Sequence, residues 1–212
     1  MREPARGVRA ATAATVIALL ATAQISAQER GTIIGGVAGY SATSLQWRPA
    51  VEGAAVGGIM VGAFAEASTP VGWLSVLAEG AYTRRGGDIE RDLEGRDVNG
   101  RVRADYLSIA VHARAAVSIG RARLHMSAGP TVDQLLRRRM DAATAAILPR
   151  ETPSVFGVSV GLGAGARVTT RVFAEVEARL FEGLSRAHAG DFLTVRNRSF
   201  EVVTRIGVPL RR

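Results

Sequence analysis

His125-Met126-Ser127 sets an imidazole and a hydroxyl two residues apart, and on an extended strand that spacing puts both on one face. A nucleophile, a base and a carboxylate that orients the base are what acyl transfer needs, so this pair is the sharpest catalytic candidate in the chain. Glu175-x-Glu177 followed by Arg179 places two carboxylates and a guanidinium together by the same spacing. Paired carboxylates can move protons for a substrate; on the inner wall of a closed sheet the same trio is a structural ion network, and that is the reading taken here. The chain has only three His (His112, His125 and His188), on separate segments without HExxH spacing, and no Cys. Neither a metal site nor a cofactor is therefore expected. The run Gly161-Leu162-Gly163-Ala164-Gly165 has the glycines of a phosphate loop but lacks its Lys-Ser/Thr ending and opens no helix, which excludes a nucleotide site there.

These residues lie in a chain of 212 residues that opens with an address. Arg2, Arg6 and Arg9 precede the uncharged run Ala10 to Ala23, and small residues at Ile25-Ser26-Ala27 offer a cleavage site. This is the pattern of a secretory signal, so residues 1–27 are expected to be a signal peptide and 28–212 the mature domain. Fourteen apolar residues are too few to anchor the chain across a hydrocarbon layer roughly 30 Å thick.

The mature chain reads as strands. From 106 to 119, Leu107, Ile109, Val111, Ala113, Ala115, Val117 and Ile119 alternate with Tyr106, Ser108, Ala110, His112, Arg114, Ala116 and Ser118. Segments 156–168, 172–181 and 200–210 alternate as clearly, and 32–41, 56–68, 73–85 and 122–133 do so more weakly. A helix would scatter their charges around its whole circumference. Thr69-Pro70-Val71-Gly72, Gly120-Arg121 and Thr169-Thr170-Arg171 are tight turns. The connections at about 42–55, 86–105, 134–153 and 182–198 are long, polar and Arg-rich. Short and long connections alternate strictly, so every long one falls at the same end. The expected fold is thus all-β: an eight-stranded antiparallel up-and-down transmembrane barrel with short periplasmic turns and long outer loops. In lipid every backbone polar group needs a partner within the protein, and a sheet supplies this only by closing.

The apolar faces must then look outward and the polar faces inward. Glu66, Glu79, Arg114, Arg167, Glu175, Glu177, Arg179, Glu201 and Arg205 are expected to form an interior ion network, with His112, His125 and Asp133 on the same faces. An eight-stranded barrel is only wide enough to be filled by side chains, and charges so enclosed persist when partnered. The glycine-rich face of 157–165 would leave room for large neighbours. Tyr82, Tyr106, Phe156 and Phe200 are expected in an aromatic girdle at the long-loop ends, and Trp73 and Phe173 in one at the short-turn ends.

All 27 basic residues are Arg, and the formal charge is +8. Arg84-Arg85, Arg91, Arg96, Arg101, Arg103 and Arg137-Arg138-Arg139 lie in or beside the long connections; Asp88, Glu90, Asp92, Glu94 and Asp97 offset those of the second. Arg137, Arg138 and Arg139 have no interleaved acid and are expected to contact lipopolysaccharide phosphates, to which the guanidinium fork is suited. An exported chain without aromatic-interleaved basic strands is not expected to bind nucleic acid.

The motifs Gly35-Gly36-Val37-Ala38-Gly39-Tyr40-Ser41, Gly57-Gly58 through Gly62-Ala63-Phe64-Ala65-Glu66, Leu77-Ala78-Glu79-Gly80-Ala81-Tyr82-Thr83-Arg84-Arg85-Gly86, Asp105-Tyr106-Leu107-Ser108-Ile109 and Ser127-Ala128-Gly129-Pro130 follow one another in order. Over about 32–210 the chain resembles the PorT-like family of small outer-membrane β-barrels, similar in architecture to OmpX and the OmpA barrel. The resemblance implies an outer-membrane location and insertion by the barrel assembly machinery, without implying one activity. The expectation is a monomeric, non-enzymatic outer-membrane barrel with a filled polar interior and a structural or surface-interaction role, its partners being outer-membrane lipids, lipopolysaccharide and the insertion machinery. Two alternatives remain open at this point. His125-x-Ser127 resembles the strand arrangement of an outer-membrane lipid A deacylase, which would make the chain a lipid-modifying enzyme; a soluble lipocalin-like barrel would instead turn the apolar faces inward around a ligand.

Overall fold

The computed structural model describes residues 31–48, 54–93, 96–140, 152–185, 188–189 and 194–210. The expected signal peptide, 1–27, lies outside them. The chain forms β1 (Thr32–Arg48), β2 (Val56–Ser68), β3 (Leu74–Leu93), β4 (Arg96–Ile119), β5 (Ala122–Met140), β6 (Ser154–Arg167), β7 (Phe173–Gly183), β8 (His188–Ala189) and β9 (Thr194–Leu210). Each of β1 to β6 pairs antiparallel with the next, β7 pairs with β9, and β9 returns to β1 over the whole run Thr32↔Leu210 to Arg48↔Thr194. That last ladder closes the sheet into an eight-stranded barrel. The two residues of β8 pair with Val195 and Thr194 of β9, above the end of β7.

The turns at one end are as short as their residues suggest. Gly120 adopts a left-handed φ of 62°, which lets Gly120-Arg121 join Ile119 to its partner Ala122 in two residues. The Thr169 hydroxyl accepts from the amides of Arg171 and Val172, fixing the β6–β7 turn.

At the other end the strands outrun the expected boundaries. The β3–β4 ladder continues from Leu74↔Ala115 to Leu93↔Arg96, so most of 86–105, expected as a loop, is paired hairpin. The reason is physical. Alternation is visible only while one face is apolar and the other polar. Above Tyr82 both faces of β3 become polar, and above Leu107 β4 turns apolar Tyr106, Ala104 and Val102 inward and charged Asp105 and Arg103 outward, so the apolar-outward pattern of the belt ends although the backbone ladder continues.

Sidedness follows the alternation. Val160, Leu162, Val176, Leu180, Val202 and Ile206 are exposed on the outer wall, whereas Arg114, Glu177 and Arg205 are fully buried. Along β9 the exposed apolar face runs from Phe200 to Leu210; about 33 Å of strand at a tilt near 40° gives a belt about 25 Å tall. Tyr40, Phe156 and Phe200 are exposed at its long-loop edge, with Tyr82 half-buried, and Trp73 is exposed at the short-turn edge. Tyr106 and Phe173 do not join this girdle. Tyr106 alternates with outward Leu107 and packs inside against Ala104 and Val155. Phe173 shares the face of Glu175 and is buried, its ring filling the space beside Gly165. The lumen is not uniformly polar either: Val37, Met60, Phe64, Leu77, Ala81 and Val203 form an apolar cluster on the β1–β2–β3–β9 side.

Candidate functional site

The chemistry-bearing side chains converge inside the barrel. Period-two spacing on β7 turns Glu175, Glu177 and Arg179 into the lumen, and register brings them opposite Arg205 and Glu201 of β9, since Glu175↔Arg205 and Arg179↔Glu201 are direct partners. From the far wall, the Arg114 guanidinium of β4 donates to Glu66 at 2.8 Å and to Glu177 at 3.0 Å, and lies 2.8 Å from Glu175. Arg205 meets Glu79 at 2.7 Å, Glu175 at 2.9 Å and Glu177 at 3.1 Å. Arg179 reaches Glu79 at 2.9 Å and Glu177 at 3.0 Å. Nearer the long-loop end, Arg85 donates to Asp133 at 3.0 Å, Glu201 at 2.6 Å and Ser199, with its guanidinium 4.1 Å over the Phe181 ring. Arg123 closes the other end with a 2.7 Å contact to Glu66. The lattice thus crosses the lumen from wall to wall.

Glycines make the room. A Cβ built on Gly161 would stand 2.5 Å from the Glu177 Oε1 and 2.7 Å from the Ser127 hydroxyl; on Gly163 it would stand 2.5 Å from the His125 Nε2. Gly161→Val is therefore expected to destabilise the folded barrel by about 1–3 kcal/mol through overpacking, read as a lower urea midpoint in detergent. Gly80, which has nothing within 4 Å of its Cβ position, is the control: Gly80→Ala should leave the midpoint within error.

The acyl-transfer candidate has its parts in the wrong order. Ser127 donates to Glu177 at 3.1 Å and His125 Nε2 contacts the same carboxylate at 3.1 Å. Glu177 stands between serine and histidine, whereas a relay needs histidine between serine and carboxylate. All three are buried in the lumen, away from the lipid where an acyl chain would lie. His125, Glu175 and Glu177 also bring potential metal-binding atoms within 4.8 Å of one another, but Arg114 and Arg205 already ion-pair with both carboxylates. A cation there would meet two guanidinium groups. His112 is buried beside Leu77 in the ladder and neither ring nitrogen hydrogen-bonds a described residue.

No family model matches the chain, and no curated protein does. Among solved structures the outer membrane protein OprG from Pseudomonas aeruginosa is similar at a TM-score of 0.60 and 10% identity, covering 86% of this chain and 96% of that one. The fold is that of a small outer-membrane barrel. Neisserial surface protein A matches at a TM-score of 0.48 and 13% identity, covering 82% of this chain and 95% of its own.

Of the expected interior network, Glu66, Glu79, Arg114, Glu175, Glu177, Arg179, Glu201 and Arg205 lie together in the lumen. Arg167 does not. It ends β6 at the short-turn mouth, where the inward face opens to solvent, and is exposed. Arg85 and Arg123 take part instead, and sequence reasoning missed both. Arg123 is in phase with His125 and Ser127, and Arg85, the last residue of the expected segment 73–85, is in phase with Glu79, Ala81 and Thr83, so the signal was available for both. Arg137 and Arg139 are exposed and Arg138 is partly buried. A register shift between Asp105 and Tyr106, which pairs Asp105 with Arg137 and Tyr106 with Leu135, sets this arrangement.

Proposed function

We propose that this chain is a monomeric, integral outer-membrane protein of a diderm bacterium, exported by residues 1–27 and inserted by the barrel assembly machinery. Its role is structural or in surface interaction rather than enzymatic, and its lumen is closed by the ion lattice. The observation that carries this reading is the pairing of an exposed apolar belt with a buried, ion-paired charge network. A hydrocarbon solvent favours such an inside-out arrangement, whereas a lipocalin-like soluble barrel would hide Val176, Leu162 and Ile206. The motif-based kinship with PorT-like barrels belongs to the same proposal.

Closure rests on Arg114, Arg179 and Arg205, each of which joins strands on different walls. Opening a water path would separate several buried ion pairs, at several kcal/mol for each charge left unpaired. In planar bilayers the protein should show no stepwise conductance; regular ohmic steps would contradict the closed lumen.

The enzymatic alternative has its own test. Ser127→Ala should leave the cell's lipid A profile by mass spectrometry identical to that of the wild type. A profile in which the wild type removes an acyl chain and Ser127→Ala does not would restore it.

A further inference from the structure

Immediately above the apolar belt, the outward residues of β3, β4 and β5 whose side chains are described are mostly basic: Arg84, Arg103, Arg137 and Arg139 beside Asp105. Asp105 pairs across the ladder with Arg137, and Arg103 with Arg139. Since Leu107 is exposed on the outer wall, period two puts Asp105 and Arg103 on the same wall at the next two levels, about 7 Å of strand apart. Arg103, Arg137 and Arg139 are all exposed, and none forms an ion pair with a described carboxylate. Arg84 is held in place instead: its Nε donates to Asp105 at 2.9 Å and its other nitrogen to the Tyr82 hydroxyl at 3.1 Å. Among the residues whose side chains are described, the patch holds four guanidinium groups and one carboxylate.

Two like charges directly opposite each other on an antiparallel ladder repel, as Arg103 and Arg139 do here. An anion bridging them would turn that repulsion into charge-assisted hydrogen bonds. The level of the patch defines the anion's other end. Immediately below are exposed Leu107 and Leu136, with Tyr82 between the apolar and charged zones, so a ligand on the guanidinium groups would carry its tails along an apolar wall. The other side of the rim is different: Arg198 is partly neutralised by Glu182 at 3.3 Å.

We propose that the outward faces of β3–β5 above the belt bind a lipid bearing two phosphoryl groups, the diphosphorylated lipid A of the outer leaflet, through Arg103, Arg137 and Arg139, with Arg84 positioned by Asp105. This rests on the membrane reading above and changes the residue set expected from sequence. Arg138 drops out, because its partner Ala104 is buried on the inner face, and Arg103 of the neighbouring strand enters.

The full-length barrel, purified in non-ionic detergent, is titrated with diphosphoryl lipid A, with monophosphoryl lipid A and with inorganic phosphate, and bound lipid is read by native mass spectrometry. The wild type should prefer the diphosphoryl form about tenfold, and Arg103→Gln/Arg139→Gln should lose at least about tenfold of that binding, as expected for losing charged hydrogen bonds. Arg196→Gln/Arg198→Gln, on β9, should stay within about twofold by the same scale. The proposal is overturned if the β4–β5 double variant binds like the wild type, if one phosphoryl group suffices, if the β9 variant loses as much, or if inorganic phosphate competes at equal concentration. Heat-modifiable gel mobility of every variant separates the two levels. A folded variant with unchanged lipid binding overturns the patch alone; a wild-type protein absent from the membrane fraction overturns the reading beneath it.

Discussion

Exchange of Arg114 for Met should lower the stability of the folded barrel by about 3–5 kcal/mol, the cost of breaking a buried ion network from one side. The Arg114 guanidinium is fully buried and neutralises Glu66, Glu175 and Glu177 at once. Methionine keeps much of the volume but leaves Glu66 to Arg123, and Glu175 and Glu177 to Arg205 and Arg179, which also serve Glu79. Urea titration followed by loss of heat-modifiable mobility measures the effect. A midpoint unchanged from the wild type would mean that the lattice contributes packing and not charge compensation. Partial rescue by adding Glu66→Gln to Arg114→Met, which removes one of the stranded charges, separates the two explanations.

Val176→Arg should be nearly as costly for the opposite reason. Val176 is exposed on the outer wall of β7 and pairs with Thr204, half-way along the exposed face of β9. Arginine at the midplane of a lipid-facing barrel wall costs about 2–4 kcal/mol, falling to about 0–1 near the interfaces. Val208→Arg, close to the short-turn edge, should therefore be mild. The comparison is made by equilibrium unfolding in lipid vesicles. In a water-facing wall both substitutions would be near neutral, and equal, small effects would place the belt in water.

How much of this was legible depended on contrast between the faces. β4, β6, β7 and β9 were plain because valine, leucine and isoleucine alternate there with Glu, Arg, Ser and Gly. The apolar-outward pattern ends above Tyr82 and Leu107, which hid the upper β3–β4 hairpin; Arg85, still within the expected segment 73–85, was legible by its phase with Glu79. Strict alternation counted upward from buried Asp133 would have turned Arg137 and Arg139 inward. The bulge opposite Asp105 and Tyr106 inserts one residue and turns them out. Composition and spacing do not encode such a bulge. Nor could they say which guanidinium meets which carboxylate: Arg114 finds Glu66 only because the stagger of the closed barrel brings β2, β4 and β7 to one level. Sequence named most members of the lattice, while closure chose the partners.

The absence of cysteine makes a direct test of sidedness available. Single cysteines at Val176 and at Thr131, which is buried in the lumen, are labelled with a nitroxide in vesicle-reconstituted protein, and collision with lipid-soluble oxygen is compared with collision with a water-soluble nickel chelate. The label at 176 should be open to oxygen and shielded from nickel, and that at 131 shielded from both. A label at 176 relaxed by nickel, or protected from oxygen as tightly as the one at 131, would contradict a barrel whose apolar wall faces hydrocarbon.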